Sequence, residues 1–373
     1  MSYFHLNFIL KGKLTVCCLL MLSAMPLNAQ REAKQIGDFK ESISLNEHLR
    51  GTKRTLQYRP DGDEFVCVNG KNRYTRALYG SHSPFRVETS DRPVFAFYNN
   101  GRGGNISFKV ILRDGTELAL DCTGHCESRY SAGKRTYYLT DPSWGKGELR
   151  ISVLALADMD GAIWRFSPSN MPKGAILRWQ HGGATGKRLS RNGDMGVDPA
   201  DCFELPVEAT DLVTGELPLQ KEVYLVRGEV PEDYNVRKLY QQAEAASLAL
   251  ASHLKIETPD PYLNTLGGAL VAAADGIWDG QVWLHGAIGW RMPLSGWRAG
   301  YTGDALGWHD RARTHFDAYA ASQVTDVPNT IPHPAQDSTM NLARSEKRWG
   351  TPQYSNGYIC RNPERNNQMH HYD

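Results

Sequence analysis

Between about Thr52 and Arg227, apolar residues gather in short alternating runs whose period and length are those of β-strands. Runs of this kind are Glu64 to Asn69, Val94 to Tyr98, Ile106 to Leu112, Thr116 to Leu120, Arg135 to Thr140, Glu148 to Leu156, Ala162 to Phe166 and Glu222 to Arg227. Between them stand Asp61-Gly62, Asn69-Gly70, Asp114-Gly115 and Asp160-Gly161, dipeptides that readily supply the positive φ of hairpin turns. Many strands at hairpin spacing predict an antiparallel β-sandwich over residues 52–230, preceded by a short lead-in over 30–51.

After Val230 the period lengthens. Pro231-Glu-Asp233 offers a helix start, and Val236, Leu239, Tyr240, Ala243, Ala246 and Leu250 recur at steps of three and four, on one helical face. This predicts a linker helix within 231–255. A second helix, Leu263 to Ile277, is rich in small residues (Gly267, Gly268, Ala269, Ala272, Ala273, Ala274) that permit close packing. A third is expected from Gly303 to Ser322, with Asp304 in its first turn, where a carboxylate interacts well with the helix dipole. The tail from Thr325 to Asp373 has little periodicity and exceeds the usual connection, which predicts a functional loop system or a segment that awaits a partner.

Composition adds an address. Lys11 and Lys13 precede an apolar run from Leu14 to Met25 and a small-residue site at Leu27-Asn28-Ala29, the pattern of an export signal cleaved near Ala29. The run is too short to span a bilayer, so a periplasmic or secreted protein without a membrane partner is expected. Cys17 and Cys18 lie inside the signal, but Val16 precedes Cys17 near the start of the run, against lipid attachment. The 42 basic and 41 acidic residues nearly balance, giving no electrostatic reason to expect nucleic acid. Five cysteines remain beyond the signal: Cys67, Cys122, Cys126, Cys202 and Cys360. Cys122-Thr-Gly-His-Cys126 admits a small disulfide loop or ordinary thiols, whereas a closed zinc site wants four ligands and no second pair stands at a matching spacing. No metal and no cofactor are expected. His181-Gly-Gly-Ala-Thr-Gly-Lys187 reads as a glycine-rich turn, because His181 and Arg188 stand where a phosphate-binding loop has its first glycine and its magnesium-binding hydroxyl.

Candidate chemistry concentrates late in the chain. Five of the nine tryptophans fall between Trp278 and Trp308, interleaved with Asp279, His285, Arg291, Arg298, Asp304, His309 and Asp310. Indole packs on the C–H face of a pyranose while charged side chains meet its hydroxyls, so the mixture suits a sugar cleft. The stretch Trp283-Leu-His-Gly-Ala-Ile-Gly-Trp-Arg291, then Ser295-Gly-Trp-Arg-Ala-Gly-Tyr-Thr-Gly-Asp-Ala-Leu-Gly-Trp-His-Asp-Arg311, resembles the six-hairpin glycosidase superfamily. Within that group it looks closest to a family of exported bacterial glycosidase-like proteins. The resemblance implies a sandwich followed by an (α/α)6 toroid, here over residues 256–373, and an oligosaccharide or polysaccharide as substrate. Arg298-Ala-Gly-Tyr-Thr-Gly-Asp-Ala305 is more distantly similar to a segment of α-L-rhamnosidases, but their general acid corresponds to Trp297, which has no proton to give.

Glycoside hydrolysis usually needs two carboxyl groups, one acid and one base or nucleophile. Asp310 and Asp304 are the first candidates, with His285, Trp290, Arg291, Trp297, Arg298, Tyr301, Trp308 and His309 as substrate contacts; Trp290 and Trp297, among Gly, Pro and Arg, stand first among the indoles. Six residues apart on one continuous helix, the two carboxylates would lie about 240° apart and could not share a bond. Asp279, Asp337 and Glu346 are further carboxylates. A polysaccharide lyase is the rival enzyme, with Arg291, Arg298, Tyr301 and His309 serving a uronate; a non-catalytic carbohydrate-binding protein is the other alternative. Twelve helices need some 200 residues, and Pro231 to Asp373 supplies 373 − 230 = 143. The expectation is therefore an incomplete toroid, weakly active or inactive alone, with a missing C-terminal portion as partner.

Overall fold

Strand alternation and turn chemistry build two antiparallel sheets. The computed structural model describes residues 57–71, 74–99, 102–182, 212–230, 233–286, 293–294, 297–323, 359–363 and 365–369. In chain order the strands are β1 Arg59–Asp61, β2 Glu64–Val68, β3 Tyr74–Leu78, β4 Arg86–Ser90, β5 Phe95–Asn99, β6 Arg102–Ile111, β7 Glu117–Ala119, β8 His125–Ser131, β9 Lys134–Thr140, β10 Glu148–Ala155, β11 Gly161–Ser169, β12 Ile176–Gly182, β13 Val213–Pro218 and β14 Val223–Gly228. One sheet runs β1-β2-β8-β9-β10-β11-β14; the other runs β13-β12-β6-β5-β4-β3, with β7 also paired to β6. All eight expected strand segments are present. Gly62 and Gly115 take the expected positive φ, 61° and 86°, and in the β10–β11 turn Asp158 does so at 58°.

Side-chain alternation explains how the sheets meet. Leu149, Ile151 and Val153 of β10 and Ala162, Trp164 and Phe166 of β11 enter one core with Phe95, Ile106, Phe108 and Val110 of the opposite sheet. Phe95 meets Trp164 edge-on at 5.6 Å and Tyr137 at 5.7 Å, and Phe108 meets Phe166 at 5.1 Å, the tilted geometry that ring quadrupoles favour. Each such side chain contributes roughly 1.5–3 kcal/mol by burial.

The outward residues Leu154 and Ile163, with Leu156 beyond the strand, are apolar too, so this face also needs a cover. Helix α1, Val236–Ala251, supplies it with Leu239, Tyr240 and Ala243. The side chain of Asn235 caps it by accepting a bond from the Lys238 amide at 3.0 Å, so the helix starts later than Pro231-Glu-Asp233 suggested. Helix α2, Pro261–Gly276, has proline in its first turn and Asp260 as its cap.

The expected third helix is two. Helix α3 is Trp297–Ala305 and α4 is His309–Ala321. Gly307, at φ 72°, ends α3; its amide bonds the Asp304 carbonyl at 3.1 Å and the Trp308 amide bonds the Gly303 carbonyl at 2.7 Å. That bond pair is a Schellman cap. Asp304 therefore lies near a helix C-terminus rather than in a first turn, and Asp310 takes the first turn of α4. α1 packs on α2 and α3 on α4, which gives mixed β plus α architecture with four helices after the sheets among the described residues. Within the tail, where only loop was expected, β15 Cys360–Asn362 and β16 Arg365–Met369 form a small hairpin. Residues 1–29, where an export signal was expected, the lead-in and most of the 325–373 tail lie outside the described residues.

Candidate functional site

A cleft of about 210 Å³ opens where the first sheet meets α1, α2 and α4. Its polar lining comes from His82, Asp158, Ser247, Asp275 and Arg311, with Tyr79 as the aromatic wall. Local packing fixes the β3–β4 loop that carries Tyr79 and His82. Ser81 and Ser83 donate to Oδ1 of Asp160 in the β10–β11 turn, at 2.7 and 2.5 Å, and the Asp158 amide donates to the Gly80 carbonyl at 2.8 Å. Gly80 is obligatory in this clamp, because a Cβ there would lie 1.8 Å from the Leu156 carbonyl oxygen. On the other wall Gly276 lets Tyr79 lie against the end of α2, where a Cβ would fall 2.4 Å from the ring.

Asp275 is the centre of the site. It is the single charged residue of α2, in the last turn, and its side chain is 18 % exposed. Its Oδ1 accepts from Arg311 at 2.7 Å and lies 3.3 Å from His82 Nε2. Burial alone would push the carboxyl up, but the hydrogen bonds from His82 and Arg311, with the guanidinium charge, outweigh it and hold the group below the ordinary carboxylate range. Asp275 is thus an ionised acceptor. It cannot serve as a proton donor near neutral pH.

Arg311 is oriented by stacking, its guanidinium 4.3 Å from the Trp308 ring centre and 5.8 Å from that of Trp278. Trp278, Trp283 and Trp308 form a buried cluster with Val271, Ala299 and Leu306. Trp283 donates from Nε1 to the Ala274 carbonyl at 3.2 Å, and its amide donates to Nδ1 of the fully buried His315 at 3.3 Å. Three of the five clustered tryptophans are core that carries the site from behind. Trp308, expected as a sugar contact, is buried in this cluster and stacks on Arg311.

The remaining sequence candidates scatter. Asp304 and His309 pair at 3.3 Å on the surface, 62 % and 74 % exposed. That pairing offsets a carboxylate placed at the unfavourable end of a helix. Asp310, Tyr301 and His285 are exposed, and Asp304 and Asp310 do not line the cleft. Asp279 closes a turn by accepting from the Gln281 and Val282 amides at 2.8 and 2.7 Å. Trp290, Arg291, Asp337 and Glu346 lie outside the described residues, and Trp297 and Arg298 are described only as backbone of α3.

Sequence reasoning missed Tyr79, His82, Asp158 and Asp275, although a lone carboxylate in a helix of small apolar residues was a visible signal for the last. Cys67, Cys122 and Cys126 are free, so the small disulfide loop is not formed. Among the described residues no group of three or more His, Cys, Asp or Glu is arranged to hold a metal, and no helix is long and apolar enough to cross a membrane.

Residues 100–229, about a third of the chain, match a family described as a domain of unknown function, DUF4450. The match runs from β6 through β14. No curated protein matches the chain.

Proposed function

We propose that this chain is an exported, glycoside-hydrolase-like protein that binds a sugar residue in the cleft around Asp275. The observation that carries the reading is the convergence of an ionised carboxylate, an imidazole, a guanidinium and a tyrosine ring on one small cleft between sheet and helices. Vicinal hydroxyls donate well to a fixed carboxylate, and a pyranose face suits a tyrosine wall. The volume takes one sugar unit rather than a chain. Exposed Leu263, Leu270 and Phe316 on α2 and α4 support the companion reading, that these helices are the first hairpins of a larger α/α toroid.

Cleavage is a second reading, favoured by a second carboxylate, Asp158, in the lining of the same cleft as Asp275. Hydrolysis would assign the ionised Asp275 as base or nucleophile and require the acid from Asp158 or from residues farther along. Asp304 and Asp310 lie outside this cleft.

Calorimetric titration of the full chain with a panel of neutral oligosaccharides tests binding, with reducing-end release and absorbance near 235 nm, roughly where unsaturated uronates absorb, as activity readouts. Millimolar or tighter binding that weakens at least tenfold in Asp275→Asn and in His82→Ala is expected. Absence of binding across the panel, or binding indifferent to both substitutions, would sink the reading. New reducing ends lost in Asp158→Asn would convert it to hydrolysis.

A further inference from the structure

β14 ends one sheet, β13 and β12 end the other, and a half-buried cation stands between β14 and β12. Arg227, on the core-facing side of β14, sits opposite Ala162 and faces Trp179 and His181, which project inward from β12. Its Nε donates to His181 Nδ1 at 3.0 Å, and its guanidinium carbon lies 5.1 Å from the Trp179 ring centre. Trp179 is itself fixed, because its indole lies against Gly215, where a Cβ would come within 2.6 Å of the ring. The guanidinium is thus held from two sides, with its two terminal nitrogens at the far end of the fork.

Several arginines in the sandwich and at the cleft reach carboxylates, while Arg92 bonds backbone carbonyls and Arg165 stacks on Tyr240. Arg86 meets Glu88, Arg129 meets Asp61, Glu64 and Glu127, Arg178 meets Glu117 and Glu216, and Arg311 meets Asp275. Arg227 makes no ion pair among the described residues. It is half-buried, and burial pushes its pKa down, the neighbouring Tyr234 acting in the opposite sense. Arginine does not lose its proton at accessible pH, so its charge carries a desolvation cost that no described carboxylate offsets and a bound anion would relieve.

We propose that Arg227, aligned by Trp179 and His181, is a binding site for a carboxylate-bearing sugar, a uronic acid residue, at the β14–β12 end of the sandwich. The fork geometry selects the ligand: with Nε committed to His181, the terminal nitrogens present two parallel N–H donors to the two oxygens of a carboxylate. The site lies wholly within residues 100–229, so the segment shared with the family carries it. That the carboxylate belongs to a sugar rests on the glycan reading of the protein; the anion preference does not.

The test is calorimetry on the full chain with digalacturonate and with its methyl ester, plus a neutral disaccharide titrated in parallel to report the Asp275 cleft. The acid is expected to bind at least tenfold more tightly than the ester, to weaken as salt rises, and to lose at least tenfold in Arg227→Met. Without ligand, the melting temperature of Arg227→Met should equal or exceed that of the parent, since a half-buried charge with no ion-pair partner among the described residues is removed. Should the methionine variant fail to fold, Arg227→Lys decides, keeping the charge without the fork and expected to bind at least fivefold more weakly. Equal affinity for acid and ester, or acid binding indifferent to either substitution, would overturn the proposal. Failure of the neutral sugar alone would remove the cleft reading and leave this site standing.

Discussion

A carboxylate buried beside a guanidinium has a pH signature that an exposed one lacks. The folded pKa of Asp275 lies below its unfolded value, so its contribution to stability is complete above the ordinary carboxylate range near pH 4 and is lost as pH falls through the lowered value. Asp275→Asn leaves Arg311 facing no charge and is expected to cost about 3 kcal/mol at pH 7. Thermal melts from pH 7 to pH 3 check both claims: the variant should start lower and fall less steeply in acid. Parallel acid limbs would contradict the assignment. The thiols make a second residue-scale case. Burial pushes Cys126 up to about 12 and raises Cys67, while Cys122 is exposed. Iodoacetamide at pH 8, read peptide by peptide by mass spectrometry, should therefore label Cys122 in the folded protein and reach Cys67 and Cys126 only after unfolding.

At the scale of elements, the α3–α4 break controls where the late residues point. Gly307 adopts the left-handed conformation that an alanine there would find strained, so Gly307→Ala is expected to lower stability by about 1 kcal/mol, measured by urea denaturation. A stabilising effect would mean that the two segments prefer to join. The break was written in Leu306-Gly307 and overlooked because the apolar period continues across it; Trp308 belongs to the core on either reading. The strands were more legible, since Asp-Gly turns and alternation act locally and β10 and β11 obey both. β4 was missed because Arg86, Thr89 and Ser90 are polar yet buried, and Thr89 finds its partner across the sheet, donating to the Arg76 carbonyl. The cleft was less legible still. Its residues come from the β3–β4 loop, the β10–β11 turn, α1, α2 and α4, and nothing local in sequence brings His82 to Asp275. The tryptophan cluster lies next to the cleft, with Trp308 and Trp278 behind Arg311.

For the whole molecule, the decisive question is whether sheets and helices stand or fall together. α1 covers Leu154, Leu156 and Ile163, apolar residues that an isolated sandwich would expose. Thr265 of α2 donates to the Gly62 carbonyl at 2.9 Å in the β1–β2 turn, Tyr79 packs on Gly276, and His82 and Asp275 meet at 3.3 Å. From Tyr58 onward the chain forms one compact unit. Such mutual burial predicts a single cooperative transition. Tryptophans report on both halves, Trp144 and Trp164 from the sandwich core and Trp278, Trp283 and Trp308 from the helical cluster. Urea unfolding followed by fluorescence, in variants that keep one set and replace the other conservatively with phenylalanine, should give coincident midpoints after correction for each variant's own stability by far-ultraviolet circular dichroism. Leu239→Ala, which opens a cavity at the α1–sheet contact, should lower both signals together by about 2–3 kcal/mol. If only the helical signal moved, α1 would be a cover that the sandwich can lose, and the cleft beneath it would be a dispensable seam rather than a built site.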